Sequence, residues 1–143
     1  MVKKPDTKYI PNARSKGGWI KVKPEYFGNM RDTCDLTILG GFYTSCGRLK
    51  AGTLSQFLCG IKKSEESKEF KSFVRVKNGL DTSDLDQLER KLKPYYQKNP
   101  VKNIFYGKEV PDLKIDPKNS VVLQIRASGI IDSKSYAVGS SLR

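Results

Sequence analysis

The sequence contains no histidine. That absence removes Ser-His and Cys-His nucleophile pairs and histidine general bases, and it leaves the cysteines without the partner most zinc sites use. Cys34, Cys46 and Cys59 show no C-x-x-C spacing, so they read as buried or inert thiols. Any chemistry here runs on lysine, arginine and carboxylates. No apolar run approaches the ~20 residues of a spanning helix. The opening "MVKKPDTKYI" lacks the apolar stretch of a signal peptide, and no basic amphipathic helix of membrane type is present. The expectation is a soluble, intracellular protein. Acidic residues are scarce: 15 Asp and Glu against 27 Lys and Arg leave a net charge of +12. An excess of that size favours polyanions, nucleic acid before an anionic membrane.

What is present suffices for one folded domain. The chain has 143 residues, and a domain of roughly 150 buries about 68–70% of its unfolded surface. Apolar residues at 37% and charged ones at 29% make it polar for a globular chain, yet aromatic and β-branched residues persist throughout, which separates it from a disordered composition.

Residues 1–18 are basic and broken by Pro5 and Pro11, and read as a loop or lid. "WIKVK" then sets Trp19, Lys21 and Lys23 on one face and Ile20 and Val22 on the other, the pattern of a short strand with a cationic face that Pro24 ends. In "CDLTILGGFY", Leu36 and Ile38 share a face, and Gly40-Gly41 predicts a bulge or sharp bend. A basic loop, "TSCGRLKAG", leads to "TLSQFLCGI", with Phe57, Cys59 and Ile61 in register. "EFKSFVRVKNG" sets Phe70, Ser72, Val74 and Val76 against Lys71, Phe73, Arg75 and Lys77. These three strands read as a meander. In "DTSDLDQLERKLKPYYQK" the spacing turns helical, with Leu85, Leu88, Leu92 and Tyr95 on one stripe, Ser83 and Asp86 placed as a capping box, and Pro94 weakening the far end. Asp81, Asp84 and Asp86 complement a helix N-terminus. "DLKI" and "SVVLQIRASGII" follow, with Val121, Leu123 and Ile125 facing away from Val122, Gln124 and Arg126. The order predicts a mainly β chain: a five-stranded OB barrel with one helix between strands 3 and 4. Other small barrels read alike.

Lys21 and Lys23 would stand about 7 Å apart on one strand face. They are either an ordinary solvated face or, since two ammonium groups pointing together beside an indole repel one another, a site for phosphate. Arg48 and Lys50 in the first loop, and Lys71, Arg75 and Lys77 on the third strand, are candidates for nucleic-acid phosphates or simply solvated charge. Phe73 among them either stacks on a base or packs inward. "KKSEESKE" reads as a solvated loop.

"MVK", "GWIKVKPEY", "DLTILGGFY", "FLCGI", "NSVVLQIRASGII" and "GSSLR" occur in order along essentially the whole chain. Together they resemble the C-terminal part of the catalytic core of eukaryotic ATP-dependent DNA ligases, the DNA ligase IV branch in particular. The resemblance implies that residues 1–32 are the end of the adenylation (nucleotidyltransferase) domain, contributing its last strands and a linker. Residues 33–143 would be the OB-fold domain, truncated at the last ligase motif. Lys3 would close an adenylation-domain motif and contact the nucleotide. Lys21 and Lys23 would be the Lys-x-Lys pair on the nucleotide phosphates, and Arg143 the first residue of the final motif, orienting pyrophosphate when the OB domain closes. The implied cofactors are ATP and Mg2+, the latter held mainly by groups outside this chain.

The resemblance further implies duplex DNA as partner, an end-joining scaffold protein bound through a C-terminal region absent here, nuclear location, and a role in double-strand break repair by non-homologous end joining. The chain departs from the family in having no Lys-x-Asp-Gly, the motif that carries AMP, so as given it would be an inactive fragment of an enzyme. A different class remains open from composition and strand order alone: a stand-alone OB-type module binding single-stranded nucleic acid without catalysis.

Overall fold

A computed structural model describes residues 2–3, 5–6, 8, 19–20, 32–44 and 52–143. Two short strands open the chain, β1 (Val2–Lys3) and β2 (Trp19–Ile20), paired antiparallel with Lys3 opposite Trp19. The rest of the expected "WIKVK" strand lies outside the described residues. Three long strands follow: β3 (Asp32–Tyr43), β4 (Leu54–Lys62) and β5 (Phe70–Val76), each antiparallel to the one before. This is the expected meander.

The helix α1 (Thr82–Leu92) comes next and buries Leu85, Leu88 and Leu92 on one stripe. Its cap lies two residues earlier than the spacing of Ser83 and Asp86 suggested. Asp81 accepts from the Asp84 amide at 2.8 Å, and Asp84 accepts from the Asp81 amide at 3.2 Å. Aspartate caps as well as serine, so the earlier pair with the same spacing starts the helix. Tyr95 does not join the stripe either. Pro94 sits in a 3-10 turn, Lys93–Tyr95, which leaves Tyr95 exposed and lets Tyr96 pack against the core in its place.

After the helix come two-residue strands β6 (Ile104–Phe105) and β7 (Leu113–Lys114), then β8 (Val122–Ala127) and a final hairpin of β9 (Ile130–Asp132) with β10 (Ser140–Leu142). β3 organises the sheet. One edge pairs with β4 from Thr37 to Tyr43; the other pairs with β8 from Asp32 to Thr37 and then with β7 at Gly40 and Gly41. A register shift between Ile38 and Gly40 lies where the neighbour changes, as the glycine pair predicted. Gly40 is glycine for space: a Cβ there would collide with the Leu113 carbonyl oxygen and with Pro111.

The fold is mainly β with a single α-helix among the described residues, as expected for an OB-like domain. Its ladder does not close into a ring among the described residues, since β9 and β10 pair only with each other. The C-terminal hairpin is instead tied to β5 through Ser72, whose carbonyl accepts from Val138 N at 3.1 Å and whose hydroxyl accepts from Ala137 N at 3.0 Å.

The core has two centres. The larger joins Leu36, Ile38, Phe57, Cys59, Phe73 and Val74 to the helix leucines, with Val121, Leu123 and Ile125 packed against it. The smaller contains Leu39, Phe42, Leu58, Ile104 and Tyr106, with Phe70 alongside. A bulge explains why β5 serves both. Cys59 pairs with Val74 but Gly60 pairs with Ser72, so Phe73 is an extra residue. Strict alternation put Phe73 beside Lys71 and Arg75; the bulge turns it inward, where it is buried. The same shift separates Phe70 from Val74.

Candidate nucleic-acid interface

Of the residues singled out from the sequence, Lys21, Lys23, Arg48 and Lys50 lie outside the described residues. Lys3 is placed only as a backbone position in β1. The structure describes Lys71, Arg75, Lys77 and Arg143, and it treats them differently.

Arg75 is held on several sides. Its Nε donates to Gln56 Oε1 at 2.8 Å, an Nη donates to Glu109 Oε2 at 2.9 Å, and its guanidinium lies 3.7 Å from the centroid of the Phe42 ring. The backbone amide of Arg75 donates to the Tyr136 hydroxyl at 3.2 Å. A guanidinium stacked and forked in this way links β4, β5 and the loop carrying Glu109. Lys71 is half-buried inside β5, opposite Ile61 and Phe105. Lys77, one residue beyond the strand, is exposed. Arg143 is exposed, while its backbone is fastened to the Ser128–Gly129 turn: its amide donates to Gly129 O at 2.9 Å, and Ser128 N donates to its carbonyl at 2.7 Å.

Two concavities flank this region. One, of about 440 Å³, lies between residues 76–80 and β8, where Gln124 and Arg126 face Asn78 and Leu80. It adds Arg126 to the cations near Lys77. The other, of about 270 Å³, gathers Lys62, Lys68 and Lys118. Sequence reasoning passed over all three lysines. Lys62 opens the "KKSEESKE" stretch that read as a solvated loop, and nothing local connects it with Lys118 in the Pro117–Asn119 turn.

Burial holds one thiol and two phenols of the described residues in their protonated forms. Burial pushes the Cys59 thiol from 9.0 up to about 12, which keeps it protonated and inert. Burial, and then the Glu89 carboxylate, raise Tyr96 to about 12. Burial also raises Tyr106. Among the described residues no group of three or more Cys, Asp or Glu converges to hold a metal ion, and no helix is long and apolar enough to cross a membrane.

The chain matches no protein-family model. It is similar to known proteins over its whole length. It is 39% identical to DNA ligase 4 of Gallus gallus and 37% identical to DNA ligase 4 of Homo sapiens, covering 100% of this chain and 16% of each of those proteins. DNA ligase 4 of Cryptococcus neoformans is 34% identical over the whole chain, which covers 14% of that relative. The chain thus spans about a sixth of the length of the curated relatives it matches, as a segment of a catalytic core would.

Proposed function

We propose that this chain, which belongs by sequence with the eukaryotic DNA ligase 4 proteins, is the part of an ATP-dependent DNA ligase that steadies nucleotide phosphates and lies on duplex DNA. The observation that carries the reading is the match over the entire chain, joined to an OB-like strand order. In this reading residues 1–32 end the adenylation domain, and the OB domain begins at residue 33.

Ligation forms a lysine-AMP phosphoramidate, moves AMP to a DNA 5′-phosphate and lets a 3′-hydroxyl displace it. Each step spreads negative charge over phosphoryl oxygens, so fixed cations are the main lever. Lys21 and Lys23 supply compact ammonium groups toward the phosphates, Lys3 contacts the nucleotide, and Arg143 meets the leaving pyrophosphate. Arg48, Lys50, Lys71, Arg75 and Lys77 face the DNA backbone; Arg75 does so while braced by Glu109. Magnesium comes with ATP and with carboxylates outside this chain. The larger setting is break repair by non-homologous end joining in the nucleus, with the scaffold protein bound elsewhere on the parent enzyme.

The test uses labelled ATP, magnesium and a denaturing gel. The 143-residue chain alone forms no covalent adenylate, because it has no Lys-x-Asp-Gly. The protein encoded by the complete reading frame around it does form one and seals nicks. A labelled band on the chain alone, or a complete protein that binds single strands without adenylation, overturns the proposal.

A further inference from the structure

Lys62 at the end of β4, Lys68 in the following loop and Lys118 in the turn before β8 come from separate parts of the chain, yet line one cleft. None of them makes an ion pair among the described residues. The neighbouring acid Glu69 is taken by Lys63 at 2.7 Å. The one carboxylate in the cleft, Asp116, accepts from the Lys118 backbone amide at 3.0 Å. Three ammonium groups against one carboxylate leave a net positive charge that an anion would relieve.

The apolar part of the lining is Phe70, Val101 and Pro117. Phe70 and Val101 pack against the smaller core cluster, so these side chains back the cleft with a firm surface suited to a flat ring. Two polar side chains also line the cleft, Ser67 and Asn103; Ser67 Oγ accepts from the Glu69 amide at 3.0 Å, which leaves its O–H to donate. Phe70 N donates to Asn103 O at 2.8 Å, which ties two of the lining segments together, and Asn119 N donates to Asp116 O at 2.9 Å, which closes the turn that carries Lys118. A preformed site loses little on ordering. At about 270 Å³ the cleft sits at the lower end of the ~300–1,000 Å³ range of small-molecule sites.

From these features we infer that the cleft binds one nucleotide unit, with the phosphate on Lys62, Lys68 and Lys118 and the base against Phe70. An acidic peptide would use the lysines and leave the ring surface idle. The unit is either a free mononucleotide or an unpaired residue of a strand. The inference rests on the cleft and not on the ligase reading: loss of duplex binding through the β5 cations would leave it standing.

The test is a titration of the full chain, followed by amide NMR, with thymidine monophosphate, thymidine, inorganic phosphate, phosphorylated tetrathymidylate and a hexaglutamate peptide. Thymidine monophosphate is expected to shift the amides of Ser67, Lys68, Asn103 and Asn119 and to leave Asn78 and Gln124 still. Thymidine and inorganic phosphate each bind at least about tenfold more weakly. The double variant Lys68→Gln/Lys118→Gln, both at exposed positions, weakens the mononucleotide about tenfold or more, a change of ~1.4 kcal/mol. Tetrathymidylate binding tenfold tighter than the mononucleotide at the same amides identifies a strand as the source; equal affinity identifies the free nucleotide. The inference is overturned if those amides do not move, if the double variant binds like the parent, if phosphate alone matches thymidine monophosphate, or if hexaglutamate binds more tightly.

Discussion

The Arg75 guanidinium lies 3.7 Å from the centroid of the Phe42 ring while its nitrogens reach Gln56 and Glu109. A residue that read as a solvated or DNA-facing charge is therefore also a brace between strands. Arg75→Ala removes the ring contact, worth ~0.5–2 kcal/mol, and the charge-assisted bonds with it. A loss of about 2 kcal/mol in urea-melt stability is expected. Arg75→Lys recovers less than half, because a single ammonium cannot stack and fork at once. A variant as stable as the parent would show the brace to be idle.

Ser72 carries a heavier duty. Its buried hydroxyl donates to Tyr106 O at 2.6 Å and accepts from Ala137 N. Ser72→Ala orphans a carbonyl and an amide together, at about 1–3 kcal/mol each when buried. The expected result is a stability loss of roughly 3 kcal/mol, with amide exchange accelerated first at residues 136–142. Uniform acceleration would mean that Ser72 does not hold the hairpin to β5.

Glycines divide by surroundings. A Cβ on Gly60 would overlap the Lys71 carbonyl oxygen and press on Leu39, whereas one on Gly129 meets nothing within 4 Å. Gly60→Ala should cost about 3 kcal/mol as an overpacking of the bulge, and Gly129→Ala should stay within ~0.5 kcal/mol. Thermal melts of the two variants side by side decide this.

Alkaline stability follows from Cys59 and Tyr96. Burial raises Cys59 from 9.0 to about 12, and Tyr96 rises from 10.0 to about 12. Below about pH 9 both are protonated in folded and unfolded chains alike, and their stability contribution is fully present. From about 9 to 12 the unfolded chain releases protons that the folded chain retains, so stability falls as pH rises. Cys59→Ala should lower overall stability but flatten that fall, as read from urea midpoints at pH 8, 9 and 10.

Duplex binding by the chain should be weak and independent of base sequence. With about four phosphate contacts, log K against log salt has a slope of roughly −3 to −4. Lys77→Ala should reduce that slope by about one, and Arg75→Ala by less, since Glu109 already neutralises its guanidinium. In the complete enzyme, Lys23→Ala should slow adenylation or sealing about a hundredfold, ~3 kcal/mol, and leave DNA affinity nearly unchanged. A salt-insensitive affinity, or a Lys23 variant impaired only in DNA binding, would contradict these assignments.

Much of this protein was legible from residues alone, because it depends on local or additive properties. The missing histidines, the charge of +12, the β3–β4–β5 meander and the leucine stripe of α1 follow from counting and from periods of 2 and 3.6. The Gly40-Gly41 bend was readable too, since glycine inside a strand pattern marks a bulge, a bend or a close approach. Only the tertiary structure decided the rest. One extra residue in β5 inverts the direction of Phe73, and alternation has no means of announcing a bulge. The cap settled on Asp81 because two pairs with the same spacing competed and geometry chose. Arg75 acquired Phe42 and Glu109, and Lys62 met Lys118, across separations that no window of sequence spans. Charge is a property of the chain, but whether a charge is a brace, a solvated tip or part of a cleft depends on which distant groups the folded backbone brings beside it.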